Sequence, residues 1–180
     1  MKQKYIVLLR GINVSGQKKI KMEDLRSHLR DLHFTDIQTY IQSGNIIFKY
    51  NSTNQATLAE AIKNKIAEKY NFDVPVLVLT TTELEIAVAN CPFSPATGQE
   101  TKRIYFTFLS ETPIPERVAK LKKLDYNPEQ YILAGKTIYF YSPNGYGRAK
   151  MNNNFFENQL KVAATTRNWK TVHKLLEMAE

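Results

Sequence analysis

The run IQTYIQSGNIIFKY, residues 37–50, decides the fold. Two β-rich segments, 37–42 and 45–50, meet at Ser43-Gly44. Glycine at a tight turn between such segments signals a hairpin. Upstream, residues 5–9 form an apolar run that ends at Arg10-Gly11 and reads as a buried strand. A polar loop, 12–21, leads to Met22, Leu25, Leu29 and Leu32 at helical spacing, with Glu23 and Asp24 in the first turn. Downstream, a helix is expected over 57–69. Thr57 and Glu60 have capping-box spacing there, and Leu58, Ile62 and Ile66 form the inner face. Residues 74–79 read as a strand with Pro75 near its start. The order β-α-β-β-α-β is that of a ferredoxin-like, split-βαβ unit.

The pattern then repeats. Thr82 and Glu85 offer a second capping box for a short helix reaching about residue 90. Pro92, Pro95 and Gly98 mark residues 91–100 as a linker. Residues 104–109 read as a strand, and Pro115 stands where a helix would begin. Segments 130–133 and 137–141 form a hairpin around Gly135. A helix over 153–161 follows, and a last helix starts after Thr165-Thr166. The second half thus ends in helices where the first half ends in a strand. The reading is an α+β fold of two duplicated ferredoxin-like units, 1–80 and 102–180, joined by a helix and linker over 81–101.

Hydrophobic residues make up 43% of the 180, enough for a core. No run approaches the ~18–20 apolar residues that span a bilayer, and the N-terminal apolar run is too short for a signal peptide. No membrane association and a cytoplasmic location are therefore expected. The single cysteine, Cys91, excludes an internal disulfide and any site built on several thiolates. His28, His33 and His173 lack metal-ligand spacing, so no metal site is expected. No Gly-x-Ser-x-Gly elbow occurs, and the loop at 143–147 lacks the spacing of a phosphate-binding P-loop. The sequence names no reaction and no cofactor. It also leaves the oligomeric state open.

Three motifs occur in order: Leu8-Leu9-Arg10-Gly11-Ile12-Asn13-Val14, Thr39-Tyr40-Ile41-Gln42-Ser43-Gly44-Asn45, and Thr165-Thr166-Arg167-Asn168-Trp169 with Thr171 and Lys174-Leu175. With them the whole chain resembles the bacterial family known as domain of unknown function 1697. This chain has Ser15-Gly16 where the family typically has Gly-Gly, and Arg148-Ala149-Lys150 where it often has Arg-Ser-Lys. The resemblance implies two ferredoxin-like units and implies no activity.

In a split-βαβ unit the first strand finishes at the same end of the sheet as the turn between the second and third. That topology gathers Arg10, Asn13, Lys18, Gln42, Ser43 and Asn45, a set suited to a phosphate or carboxylate. Ser43-Gly44-Asn45 also suits plain hairpin chemistry, and Arg10 at a strand end also suits a bond to a neighbouring loop carbonyl. The last helix adds Arg167 and Asn168 in its expected first turn, where an anion is favoured. Arg148 and Lys150 flank the same region of sequence. The net charge of +8 fits an anionic partner. The leading expectation is a small anionic ligand. Nucleic acid is the alternative, stacked on Tyr5, Phe48, Tyr50, Tyr105, Tyr139 and Tyr141. A protein-interaction role is the third possibility.

Overall fold

A computed structural model describes all of residues 1–180. It is a mixed α+β structure with two four-stranded antiparallel sheets and six α-helices. The chain divides into two compact units, Met1–Glu85 with Leu175–Glu180, and Ile86–Lys174. No helix is long and apolar enough to cross a membrane.

In the first unit, β1 (Lys2–Leu9) leads through α1 (Met22–Arg30) to β2 (Thr35–Tyr40) and β3 (Asn45–Asn51). Then α2 (Gln55–Tyr70) leads to β4 (Val76–Thr80). The sheet order is β2-β3-β1-β4, with every neighbouring pair antiparallel. Central β1 is buried from Tyr5 through Leu9, which explains its continuous apolar run. Tyr5, Val7 and Leu9 pack with Leu25 and Leu29 of α1 and with Leu58, Ile62 and Ile66 of α2. The inner faces expected for these helices are therefore the faces that pack.

Helix starts differ from the capping boxes read in the sequence. Asn54 caps α2, its side chain accepting from the Ala56 N–H at 2.7 Å, so Thr57 and Glu60 lie inside the helix. Helix α3 (Thr81–Ala89) is held by Thr80 and Glu83 in place of Thr82 and Glu85. The Glu83 carboxylate accepts from the Thr80 N–H at 2.8 Å, and the Thr80 hydroxyl accepts from the Glu83 N–H at 3.2 Å. The Thr-x-x-Glu spacing therefore holds at α3 in a register two residues earlier, whereas α2 starts with an asparagine cap and no capping box.

The second unit contains β5 (Ile104–Leu109), α4 (Pro115–Leu121), β6 (Gln130–Ala134), β7 (Thr137–Tyr141), α5 (Asn153–Leu160) and β8 (Ala164–Asn168). The final helix, α6, spans Trp169–Ala179. The sheet order is β6-β7-β5-β8. Strand β8 corrects the sequence reading, which placed Arg167 and Asn168 in a helical first turn. Residues 164–168 pair antiparallel with β5, from Leu109↔Ala164 to Tyr105↔Asn168. Thr-Thr-Arg-Asn carries no apolar alternation of its own, so β5 imposes the strand through tertiary pairing.

Candidate functional site

The end of β1 does meet the β2–β3 turn. The Leu9 N–H donates to the Gly44 carbonyl at 2.8 Å, and the Arg10 N–H donates to the Pro75 carbonyl at 3.1 Å. The 12–21 loop is tied to the same place by Asn13, whose φ is +53°. Its side-chain amide donates to the carbonyls of Ile20 (2.9 Å) and Gln42 (2.7 Å), while its oxygen accepts from the Ile20 N–H (2.8 Å). Asn13 therefore closes the loop on itself and fastens it to the turn. Asn45 is fully buried, and its amide donates to the Tyr40 carbonyl (3.0 Å) and to the Ser43 hydroxyl (2.9 Å). The Lys18 ammonium donates to the Asp73 carbonyl. These polar groups were read as ligand-facing, and the bonds shown here turn them onto the protein's own backbone and turn side chains.

Gln42 and Asn13 are the members of the predicted set that border clefts. The Gln42 backbone carbonyl holds Asn13, and Gln42 lines two clefts. The first, about 430 Å³, is bounded by Lys21, Met22, Glu23, Arg26, Thr39, Ile41 and Gln42. Met22 and Arg26 lie four apart on α1 and so share a helix face. The Arg26 guanidinium donates to the Thr39 hydroxyl, which fixes the cation against β2. Lys21 occupies the N-cap of α1 without a side-chain cap bond, leaving the first N–H groups of the helix uncapped by a side chain.

The second cleft, about 410 Å³, shares Lys21 and Gln42 and adds Asn13, Lys19, Ile20, Asp24 and Tyr70. Neither Lys19 nor Lys21 forms an ion pair. The Tyr70 hydroxyl is buried with no hydrogen-bond partner. Burial pushes this phenol above its ordinary pKa, and the Asp24 carboxylate adds to the rise.

The remaining predicted residues belong to the second unit. Arg148 ends a short 3-10 turn, Tyr146–Arg148, and is exposed. Lys150 is exposed too, and its backbone N–H and that of Met151 donate to the Glu129 carboxylate at 2.8 and 3.0 Å. Arg167 lies on β8, where its guanidinium donates to the Thr166 carbonyl at 3.0 Å. Burial pulls its pKa down to about 10, with Tyr146 opposing the shift, so the group stays cationic at neutral pH. The Asn168 side chain accepts from the Thr171 N–H at 2.9 Å and so starts α6. Neither Thr165 nor Thr166 caps the last helix. Thr165 is buried in the strand, and the Thr166 hydroxyl bonds with Thr107 at 2.6 Å and with Asn153 at 2.7 Å.

Of the six aromatics named for base stacking, three lie in the core and Tyr50, Tyr105 and Tyr141 are half-buried. Tyr5 and Phe48 are fully buried and Tyr139 nearly so. Tyr50 packs edge-on to Phe34, and Tyr105 lies 5.3 Å from the Tyr146 ring. Cys91 is a half-buried free thiol that burial pushes upward in pKa, away from nucleophile chemistry. No group of His, Cys, Asp and Glu is placed to hold a metal.

Residues 1–139 match the family described as "Protein of unknown function (DUF1697)", well over half of the chain. The chain belongs to this family. A solved structure, that of the conserved bacterial protein SP0830 from Streptococcus pneumoniae, is similar to this DUF1697 chain at 26% identity and a TM-score of 0.77, over 100% of both chains. No curated protein matches.

Within this DUF1697 chain, sequence reasoning passed over Lys21, Arg26, Thr39 and Tyr70. The available signal was the basic run Lys18-Lys19-Ile20-Lys21 immediately before a helix start. Tyr70 carries a prediction of its own. Tyr70→Phe removes a buried hydroxyl that bonds to nothing, so stability is expected to hold or to rise by up to about 1 kcal/mol. Urea unfolding measures this, and a loss of about 1 kcal/mol or more would show that the hydroxyl is bonded.

Proposed function

We propose that the chain binds a small anionic ligand, carrying a phosphate or carboxylate, in the cleft between the start of α1 and the β2–β3 turn. The observation that carries this reading is the convergence of Lys21, Arg26 and Gln42 on one cleft of about 430 Å³ in which Lys21 has no carboxylate partner. Arg26 supplies a fixed, fork-shaped donor, Lys21 a mobile charge, and Gln42 an amide donor. The uncapped N–H groups of α1 add a favourable field. Asn13 and Asn45 act as framework, holding the turn in place. The matching strand orders of the two sheets support the finer fold reading of two duplicated split-βαβ units.

Glu23 borders the same cleft and opposes an anion. This gives the test a sign in both directions. In calorimetric titrations with pyrophosphate at low salt, Arg26→Ala is expected to weaken binding about tenfold, the loss of one charged hydrogen bond. Glu23→Gln is expected to strengthen it about threefold, the removal of one exposed repulsion. No saturable binding by the wild type, or equal affinities in all three proteins, would remove the proposal.

A further inference from the structure

We infer that one end of the second unit's sheet binds single-stranded nucleic acid, with cations on the phosphates and tyrosine rings on the unpaired bases. The charge of the chain is unevenly divided. Residues 86–174 hold thirteen Lys and Arg against six Asp and Glu, which accounts for nearly all of the net +8. Such asymmetry between two halves points to a polyanionic partner.

Strand register shows where the charge collects. Ile104 and Gln130 are both paired with Tyr141, and Tyr105 with Asn168, so these residues share one end of the sheet. The segments at that end, 100–103, 122–129, 142–150 and 167–170, hold eight basic residues and three carboxylates. Each carboxylate is engaged: Glu100 with Lys102 at 2.8 Å, Asp125 with the Asn127 N–H at 3.0 Å, and Glu129 with the Lys150 and Met151 N–H groups. None of Arg103, Lys122, Lys123, Arg148, Lys150 and Lys170 forms an ion pair. All of these but Arg103 are exposed. The connections at the opposite end, 110–114, 135–136 and 161–163, hold two lysines and one glutamate.

Half-buried tyrosines lie among these cations. The Tyr105 hydroxyl donates to the Lys102 carbonyl at 3.3 Å and accepts from the Tyr146 N–H at 3.2 Å, and the two rings are 5.3 Å apart. Gly145 makes room for Arg103, since a Cβ there would stand 2.7 Å from the Arg103 Nη1. The 142–150 loop thus carries Tyr146, Arg148 and Lys150 and seats Arg103. Cations interleaved with aromatic rings suit a single strand, whose phosphates and unpaired bases use both. An acidic peptide or an anionic bilayer would use the charge alone. Each exposed cation holds an anion weakly, so a lone phosphate is not retained, whereas a strand engages several cations at once.

The test is fluorescence anisotropy of end-labelled oligouridylate and oligothymidylate, each of roughly 20 nucleotides, in rising salt. Saturable binding is expected, and the tighter of the two identifies RNA or DNA as the partner. Binding is expected to weaken about 100-fold from roughly 50 to roughly 200 mM salt, the counterion release of about five phosphates. Arg148→Glu with Lys150→Glu is expected to weaken binding at low salt by about tenfold or more. Lys136→Glu with Lys161→Glu, the same charge change at the opposite end, is expected to leave it within about twofold. Lys122→Glu with Lys123→Glu replaces the first pair should that variant melt early. In the complex, the ring protons of Tyr105 and Tyr146 are expected to shift upfield in NMR spectra. The inference is overturned by no saturable binding of either oligomer, by equal losses in both double variants, or by ring protons that stay in place. Equal affinity for polyglutamate or for anionic vesicles overturns it too.

Discussion

Gly44→Ala is expected to destabilise the first unit by about 3 kcal/mol, among the largest effects of any single-methyl addition in the chain. Two costs add. Gly44 has a φ of +80°, a region in which a Cβ costs about 1–2 kcal/mol. The new methyl would also stand 2.6 Å from the Leu9 Cβ and 2.9 Å from the Ile12 Cδ1. Both neighbours are buried in the core and have no room to withdraw, and overpacking of that kind costs about 1–3 kcal/mol. Gly11→Ala is the control. Its φ is +75° but nothing lies within 4 Å of the added carbon, so only the conformational cost of about 1 kcal/mol remains. Paired urea denaturation of the two variants separates the terms. Equal losses would mean that the turn does not press on the end of β1.

Asn13→Ala is expected to cost about 3 kcal/mol as well, by a different route. It deletes the three side-chain hydrogen bonds by which Asn13 fastens the 12–21 loop, each worth about 1 kcal/mol, and leaves the buried Ile20 amide without its acceptor. It also puts alanine at a φ of +53°, which asparagine tolerates far better. In a chain of this size, the melting temperature should fall by roughly 10 °C. Asn13→Asp is expected to be no milder. Its carboxylate can still accept from Ile20, but its second oxygen would face the carbonyls of Ile20 and Gln42, where the wild type has a donor. Rapid exchange of the Ile20 amide in both variants is the local signature. Protection of that amide at the wild-type level would mean that Asn13 does not shape the loop.

These two residues also show where the sequence was legible. Glycine at Ser43-Gly44, set between β-rich runs, located the hairpin. The order of elements then placed that turn against the end of β1, as the Leu9–Gly44 hydrogen bond shows. The direction of a side-chain amide is another matter. Asn13, Ser43 and Asn45 have the same chemistry whether they face a ligand or a neighbouring carbonyl, and only coordinates separate the two cases. Residues 164–168 were misread because Thr-Thr is both a helix-capping signal and a β-branched pair, and the deciding partner, β5, is some 60 residues distant in sequence. Arg26 was missed because an arginine at the margin of the apolar face of an amphipathic helix looks like any solvated charge. Its bond to Thr39 depends on how α1 lies across β2.

The most direct test of the proposed site is a pyrophosphate titration of the labelled protein followed by amide and side-chain NMR. The expected shifts are saturable and centre on the backbone N–H groups of Met22 and Glu23, the Arg26 guanidinium and the Gln42 side-chain amide, with none at Arg148 and Lys150. Shifts centred instead on Arg148 and Lys150, or linear drifts spread over all surface lysines, would contradict an anion site at the start of α1.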